Sequence, residues 1–226
     1  MSSDNIKPLK IPANWTFKTP EVAAAFDKHV REQLPWYDLA TGVIAHVGRH
    51  YVPENGTIVD IGASTGNVGR ALAKTIELRK AKLIAIDNSE SMANAYSGPG
   101  ALQICDARSF DYAAAEPDLI VAFLVLMFVP VPDRATLVER MKTAVRRGGA
   151  VLVFDKLSPR AGYIGAVTYR LTLAAKYEAG ASPEEVIEKE LSLAGVQRPM
   201  SESELDGFAP IFRFGDFGGF LWESSP

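Results

Sequence analysis

One cysteine, Cys105, stands in a chain of 226 residues. A disulfide framework and a cysteine-based zinc cluster are therefore excluded. Histidine is also scarce. His29, His46 and His50 offer no metal spacing beyond one i, i+4 pair, and a solvated helix face is the expected reading of that pair. No apolar run is long enough for a membrane helix, because the longest, Leu119 to Pro132, ends in two prolines. The opening MSSDNIKPLK has no apolar signal core, so export is not expected and a cytoplasmic setting is. Nor does one charge dominate. With 24 Lys and Arg against 27 Asp and Glu, the net charge is −3. That balance argues against a protein built to grip long stretches of phosphate backbone, though a local patch for a short nucleic acid stays open. No repeat or low-complexity tract is present, which leaves an ordinary globular composition: 47% hydrophobic, 23% charged, one domain's worth of chain.

The pattern of elements then defines a fold class. Residues 1–54 read as a polar arm carrying Trp15 and Phe17, followed by two cap helices separated at Pro35. From residue 55 to 157 short apolar runs alternate with helical periodicity. Strands are expected over 57–61, 82–86, 101–105, 119–126 and 150–154, with helices over 67–79 and 133–146 and a short one from Ser89. Continuously apolar strands alternating with helices imply a parallel sheet covered on both faces, hence a doubly wound α/β fold. Residues 158–207 break the alternation with two successive helices, the second opened by the capping box Ser182-Pro-Glu-Glu, and are expected to form a lid. The aromatic tail 208–226 holds a turn at Gly215-Asp216-Phe217-Gly218 and suits an antiparallel hairpin, giving seven strands in all. Its aromatics suit either a buried sheet edge or the surface of a homodimer.

The chemistry concentrates at Asp60-Ile61-Gly62-Ala63-Ser64-Thr65-Gly66, where a strand ends in a glycine turn that opens a helix. Gly62 and Gly66 let the backbone approach a ligand without a Cβ clash, and the helix start offers free N–H groups. The spacing is G-x-x-x-G, which is neither the dinucleotide fingerprint nor a phosphate-binding P-loop. Asp87 ends the second strand, where a carboxylate can accept both hydroxyls of a ribose. Asp106 follows the third strand, placed for an adenine amino group. Cys105 beside it reads as a small buried hydrophobe. No general base is evident in these motifs. That suits transfer to a nucleophile already reactive enough for alignment to supply most of the acceleration.

Three acidic strand ends in this order, around D-x-G-x-x-x-G, resemble class I S-adenosylmethionine (SAM)-dependent methyltransferases over about residues 55–154. A narrower resemblance runs along almost the whole chain. Asn14-Trp-Thr-Phe17, Leu34-Pro-Trp-Tyr37, Ile84-Ala-Ile-Asp87-Asn88-Ser89, Gly148-Gly-Ala-Val-Leu152 and Asp216-Phe-Gly218 look like the carboxy-SAM synthases, which act in tRNA wobble-uridine modification and make carboxy-SAM from SAM and prephenate. The resemblance implies a SAM or carboxylated-SAM site. In it Tyr37 touches the methionine part, Gly62, Ala63 and Ser64 line the turn, Asp87 and Asn88 hold ribose and adenine, and Asp106 with Ala107 flanks the base. Two positions depart from that family. Phe123 stands where it has an Asn, and Glu190 where its lid carries the Arg that serves the extra carboxylate; Lys189, Arg170 or Arg198 are the candidates to replace that cation. Three readings follow: a methyltransferase-like enzyme acting on a small molecule, a carboxy-SAM synthase with a rebuilt carboxylate site, and a SAM-binding protein without turnover. A cation in the lid facing the sulfonium favours the second, and a pocket closed by apolar side chains the third.

Overall fold

The computed structural model describes residues 11–225; the expectation for the first ten residues as an unexported N-terminus lies outside them. Two helices come first, α1 (Pro20–Gln33) and α2 (Tyr37–Tyr51). The alternating core follows: β1 (Thr57–Ile61), α3 (Asn67–Arg79), β2 (Lys82–Asp87), α4 (Glu90–Ala95), β3 (Leu102–Ile104), α5 (Tyr112–Ala115), β4 (Leu119–Phe123), α6 (Val131–Ala144) and β5 (Ala150–Lys156). Helices α7 (Tyr163–Glu178) and α8 (Pro183–Ser192) come next, and the strands β6 (Ala209–Phe214) and β7 (Phe217–Glu223) close the chain.

The seven strands form one sheet in the order β3-β2-β1-β4-β5-β7-β6. The first five are parallel, and β7 runs antiparallel to both β5 and β6. The doubly wound expectation holds, with reversal of strand order at β1 and β4, the place where such sheets open a ligand crevice. Alternation along the strands sends Val59, Ile61, Ile120 and Val153 to the face that α6 covers with Leu137 and Met141. Ile58, Val121, Leu152 and Phe154 go to the other face, under Ile44 of α2 and Leu72 of α3. A smaller cluster joins Trp15 of the arm to Val22, Met92 and Leu193.

Several boundaries differ from expectation. β4 stops at Phe123, because Leu124 takes a left-handed φ of 60° and the chain then turns through a 3-10 segment at Leu126–Phe128. α6 starts two residues early, at Val131, with Pro132 in its first turn where a missing N–H costs nothing. Helix α5 was not expected; four residues, capped by the Asp111 side chain on the Ala114 N–H, leave too short a period to read. The predicted capping box of α8 is formed: Ser182 Oγ accepts from the Glu185 N–H at 3.2 Å, and Glu185 Oε2 from the Ser182 N–H at 2.8 Å. The terminal hairpin is not wholly buried by helices, since β6 faces solvent along most of its length.

Gly66 sets where α3 begins. Its φ is +95°, and a Cβ there would sit 2.5 Å from the Gly98 nitrogen. Left-handed backbone costs a residue with a Cβ roughly 1–2 kcal/mol, and the clash with backbone adds to it. Gly66→Ala is expected to destabilise the fold by about 2 kcal/mol or more, read as a lower urea midpoint at unchanged m-value.

Candidate functional site

A cavity of about 260 Å3 opens at the C-terminal ends of β1, β2 and β4 and runs beneath the arm and helices α7 and α8. One end is built by the glycine turn. Gly62 has φ +64° and is packed so closely under Val125 that a Cβ would overlap it. Asp87 Oδ2 accepts from the Ser64 N–H at 3.0 Å and Oδ1 from the Ser89 N–H at 2.9 Å. Burial pushes the Asp87 carboxyl up, opposed by the backbone N–H groups of Ser89, Ser64 and Asn88. Ser89 caps α4 through the Met92 N–H and donates its hydroxyl to the Phe17 carbonyl at 2.6 Å, so the arm is fastened to the same edge.

Nine of the eleven residues singled out in the sequence line this cavity: Tyr37, Gly62, Ala63, Ser64, Asp87, Asn88, Asp106, Ala107 and Phe123. Tyr37 packs on Phe123 with ring centroids 5.0 Å apart, and the Arg31 guanidinium lies over its other neighbourhood at 5.2 Å from the ring centre. Burial raises the Tyr37 hydroxyl above its ordinary pKa. Asp106 is already engaged: Arg108 bonds both of its oxygens, at 3.0 and 2.7 Å, and holds the carboxyl below its usual range. Cys105 is half-buried: it packs against the core cluster, as expected of a small hydrophobe, and also lines the cavity.

The other two do not line it. Gly66 is turned toward Gly98 and Tyr96, so its role is the helix start and not ligand approach. Asp60 lies one residue inside the strand end, on the face of Ile58 and its cross-strand partner Val121. It is fully buried and neither carboxyl oxygen has a hydrogen-bond partner among the described residues. Burial first, and the charge of Asp87 second, push its pKa well above the ordinary value.

The far end of the cavity is cationic, and local sequence gave little sign of it. Lys156 at the end of β5, Lys176 on α7 and Lys189 on α8 all line it, with Glu190 between them. Glu190 Oε1 lies 3.2 Å from Lys176 Nζ and Oε2 3.6 Å from Lys156 Nζ; Lys156 also donates to Gln197 Oε1 at 2.9 Å. Burial would raise the Glu190 carboxyl, but these two ammonium groups hold it below its ordinary value. Glu190 therefore does not stand as a bare repelling charge, as its sequence position suggested. Of the cations weighed in the sequence, Lys189 reaches the cavity, whereas Arg170 and Arg198 are not among its lining residues. Lys156 and Lys176 converge only through the fold, from strand and helix 20 residues apart, so no spacing rule pointed to them. His29 and Trp15 complete this end, stacked at 5.4 Å. Burial, then Lys189 and Lys176, lowers His29 to about 4. Among the described residues no cluster of His, Cys, Asp or Glu could hold a metal ion, and no helix is long and apolar enough to cross a membrane.

Residues 58–149 match the methyltransferase domain family. Over that stretch the chain is similar to a methyltransferase domain. The sheet agrees: the plantazolicin methyltransferase BpumL superposes with a TM-score of 0.61 at 14% identity, over 90% of this chain and 89% of that one. A SAM-dependent methyltransferase from Methanosarcina mazei gives 0.51 at 16% identity, over 78% and 96%. In sequence, the chain is 28% identical to a carboxy-S-adenosyl-L-methionine synthase from Staphylococcus epidermidis over 222 residues, 93% of this chain and 97% of the relative. The methyltransferase resemblance and the fold class read from the sequence thus both hold.

Two outcomes are expected from these carboxylates. If Asp87 accepts two ribose hydroxyls, as its place at the strand end predicts, Asp87→Ala costs about 1.5 kcal/mol for each such bond and the affinity for SAM falls on the order of a hundredfold; unchanged affinity by calorimetry would remove Asp87 from a ribose site. Asp60 titrates above its unfolded value, so the folded state holds the extra proton and its stability falls as pH rises above about 4. Asp60→Asn, which has no such proton to lose, should gain stability relative to the unaltered protein between pH 4 and 7, measured by urea unfolding at each pH. A gap independent of pH would mean that Asp60 ionises normally.

Proposed function

We propose that the protein is a SAM-dependent transferase whose second ligand carries a carboxylate. The observation that carries this reading is the charge at the far end of the cavity. SAM's sulfonium is a cation. Placed in the same small cavity as Lys156 and Lys176, it meets two ammonium groups that share one carboxylate, Glu190, while Asp216, which also lines the cavity, accepts from the Thr168 hydroxyl. Two like charges roughly 8 Å apart at an effective dielectric of about 20 repel by about 2 kcal/mol. An anionic group seated between sulfonium and lysines removes that penalty. In this reading Asp87 and Asn88 hold the nucleoside, Gly62, Ala63 and Ser64 the turn beside the methionine part, and Tyr37 and Phe123 wall the sulfur.

The carboxylate has two possible homes, and the relatives favour one. If it belongs to the adenosyl ligand, the protein is a carboxy-SAM synthase, as the Staphylococcus epidermidis relative is named, with Lys156 and Lys176 in place of the family's Arg. A place in tRNA wobble-uridine modification would follow. If it belongs to an acceptor, the protein methylates a small carboxylic acid. A cytoplasmic setting suits the unpaired Cys105. A homodimer suits α7, whose Ile164, Val167 and Leu171 form an exposed apolar row at helical spacing.

Native mass spectrometry of the freshly purified protein tests all of this at once. A dimer carrying an adenosyl ligand heavier than SAM by one carboxyl in place of a hydrogen is the outcome expected for the synthase. SAM or S-adenosylhomocysteine moves the carboxylate to the acceptor. No adenosyl ligand, and no binding of added SAM, would overturn the transferase reading.

A further inference from the structure

The transfer chemistry lacks a proton acceptor in the glycine-turn half of the cavity, where Asp87 and Asp106 are occupied by backbone and Arg108 bonds. The other half holds an amine in an unusual position. Lys189 is buried on α8 and lines the cavity, with its Nζ against the face of the Trp15 ring. It has no ion-pair partner and its Nζ no hydrogen-bond acceptor among the described residues. Glu190, the carboxylate nearest in sequence, is engaged on both oxygens by Lys176 and Lys156. The groups facing Lys189 from the surrounding elements are His29 of α1, Lys176 of α7, Glu190 of its own helix and the Trp15 ring of the arm. One cation, one buried imidazole and one already neutralised carboxylate make poor company for an ammonium. The indole face and the partly neutralised Glu190 favour the charged form; burial and Lys176 oppose it.

We propose that Lys189 is an uncharged amine open to the acceptor end of the cavity and serves as the proton acceptor for the transfer. The step balances without any further reagent. In a methyl transfer the proton of the acceptor's O–H or N–H passes to the Nζ lone pair, giving an ammonium. The electron pair left on the acceptor forms the bond to the methyl carbon. The carbon–sulfur bond breaks with its pair going to sulfur, leaving S-adenosylhomocysteine, and the ammonium returns its proton to water. The environment agrees with this role: burial first, then Lys176, against the pull of Glu190, lowers Lys189 to about 5. A desolvated lysine beside a second cation is the recognised arrangement for a reactive amine. Lys156 and Lys176, paired to Glu190, hold the anion, while Lys189 stays free to take a proton. This division of roles deepens the transferase reading above and rests on it.

Competitive labelling with acetic anhydride tests the state of the amine on the intact protein, since only an uncharged amine is acylated. The acetylation rate of each lysine is followed by peptide mass mapping from pH 5 to 9. Lys28, exposed on α1, serves as the internal reference. Lys189 is expected to react at least tenfold faster than Lys28 at pH 7 and to show no further rise above that pH, while Lys28 continues to gain about tenfold per unit. A Lys189 rate that climbs in parallel with Lys28, or a Lys189 that does not react at all, overturns the proposal. The role is then read from turnover of labelled SAM to S-adenosylhomocysteine, with a deproteinised bacterial small-molecule extract that supports the unaltered protein as acceptor source. Lys189→Met and Lys189→Arg should both lose at least a hundredfold, because the guanidinium keeps the charge and accepts no proton. Near-normal turnover by Lys189→Arg would make the residue an anion holder and sink the proton-acceptor role. The labelling profile needs no adenosyl ligand, so a normal profile in a protein that binds no SAM would count against the transferase reading alone.

Discussion

One carboxylate holds the working edge of the sheet together. Asp87 sits at the end of β2 and accepts from Ser64, in the turn that leaves β1, and from Ser89, at the start of α4. Ser89 in turn ties down the arm through the Phe17 carbonyl. Turn, helix start and arm are therefore fixed relative to each other by a group that also lines the cavity. Each of its bonds is charge-assisted and partly shielded from water, which makes the arrangement stiff before any ligand arrives. Preorganisation of this kind lowers the cost of ordering the site on binding.

The opposite end is organised by a different principle. Lys156, Lys176 and Glu190 come from three elements and form a chain of ion pairs under the lid helices. Exposed ion pairs contribute little, but here Lys176 is nearly inaccessible, and removing one partner would leave a buried charge uncompensated. The cluster thus fixes α7 and α8 to the end of β5 and sets two ammonium groups that share one carboxylate along the cavity.

Much of this was legible in the sequence, for identifiable reasons. Strand–helix alternation and the Gly62 turn with Asp87 at the end of β2 predicted the sheet, the turn and a carboxylate lining the cavity, because they depend on local periodicity and on strand ends. The capping box at Ser182 was legible because both partners lie within one turn. What escaped depended on long-range packing. Gly66 looked like a ligand-facing glycine until Gly98, from a separate loop, proved to occupy its open side. Asp60 looked like a third edge carboxylate, but its position one residue inside β1 turns it onto the covered face. Glu190 looked repulsive because its two lysines lie 14 and 34 residues away.

The strand order has a consequence for how the chain reaches this state. β7, which follows β6 in the chain, is not at the edge of the sheet but inserted between β5 and β6. During synthesis β5 must wait as an unpaired edge until residues 217–223 leave the ribosome, and the hairpin must then slot in as a unit. Such an edge invites wrong partners while it waits. Leu157 donates to the Asp216 carbonyl at 2.6 Å, and Asp216 itself lines the cavity. The cavity therefore lacks part of its wall, Asp216 and Phe217, until residues 216–223 are made and paired.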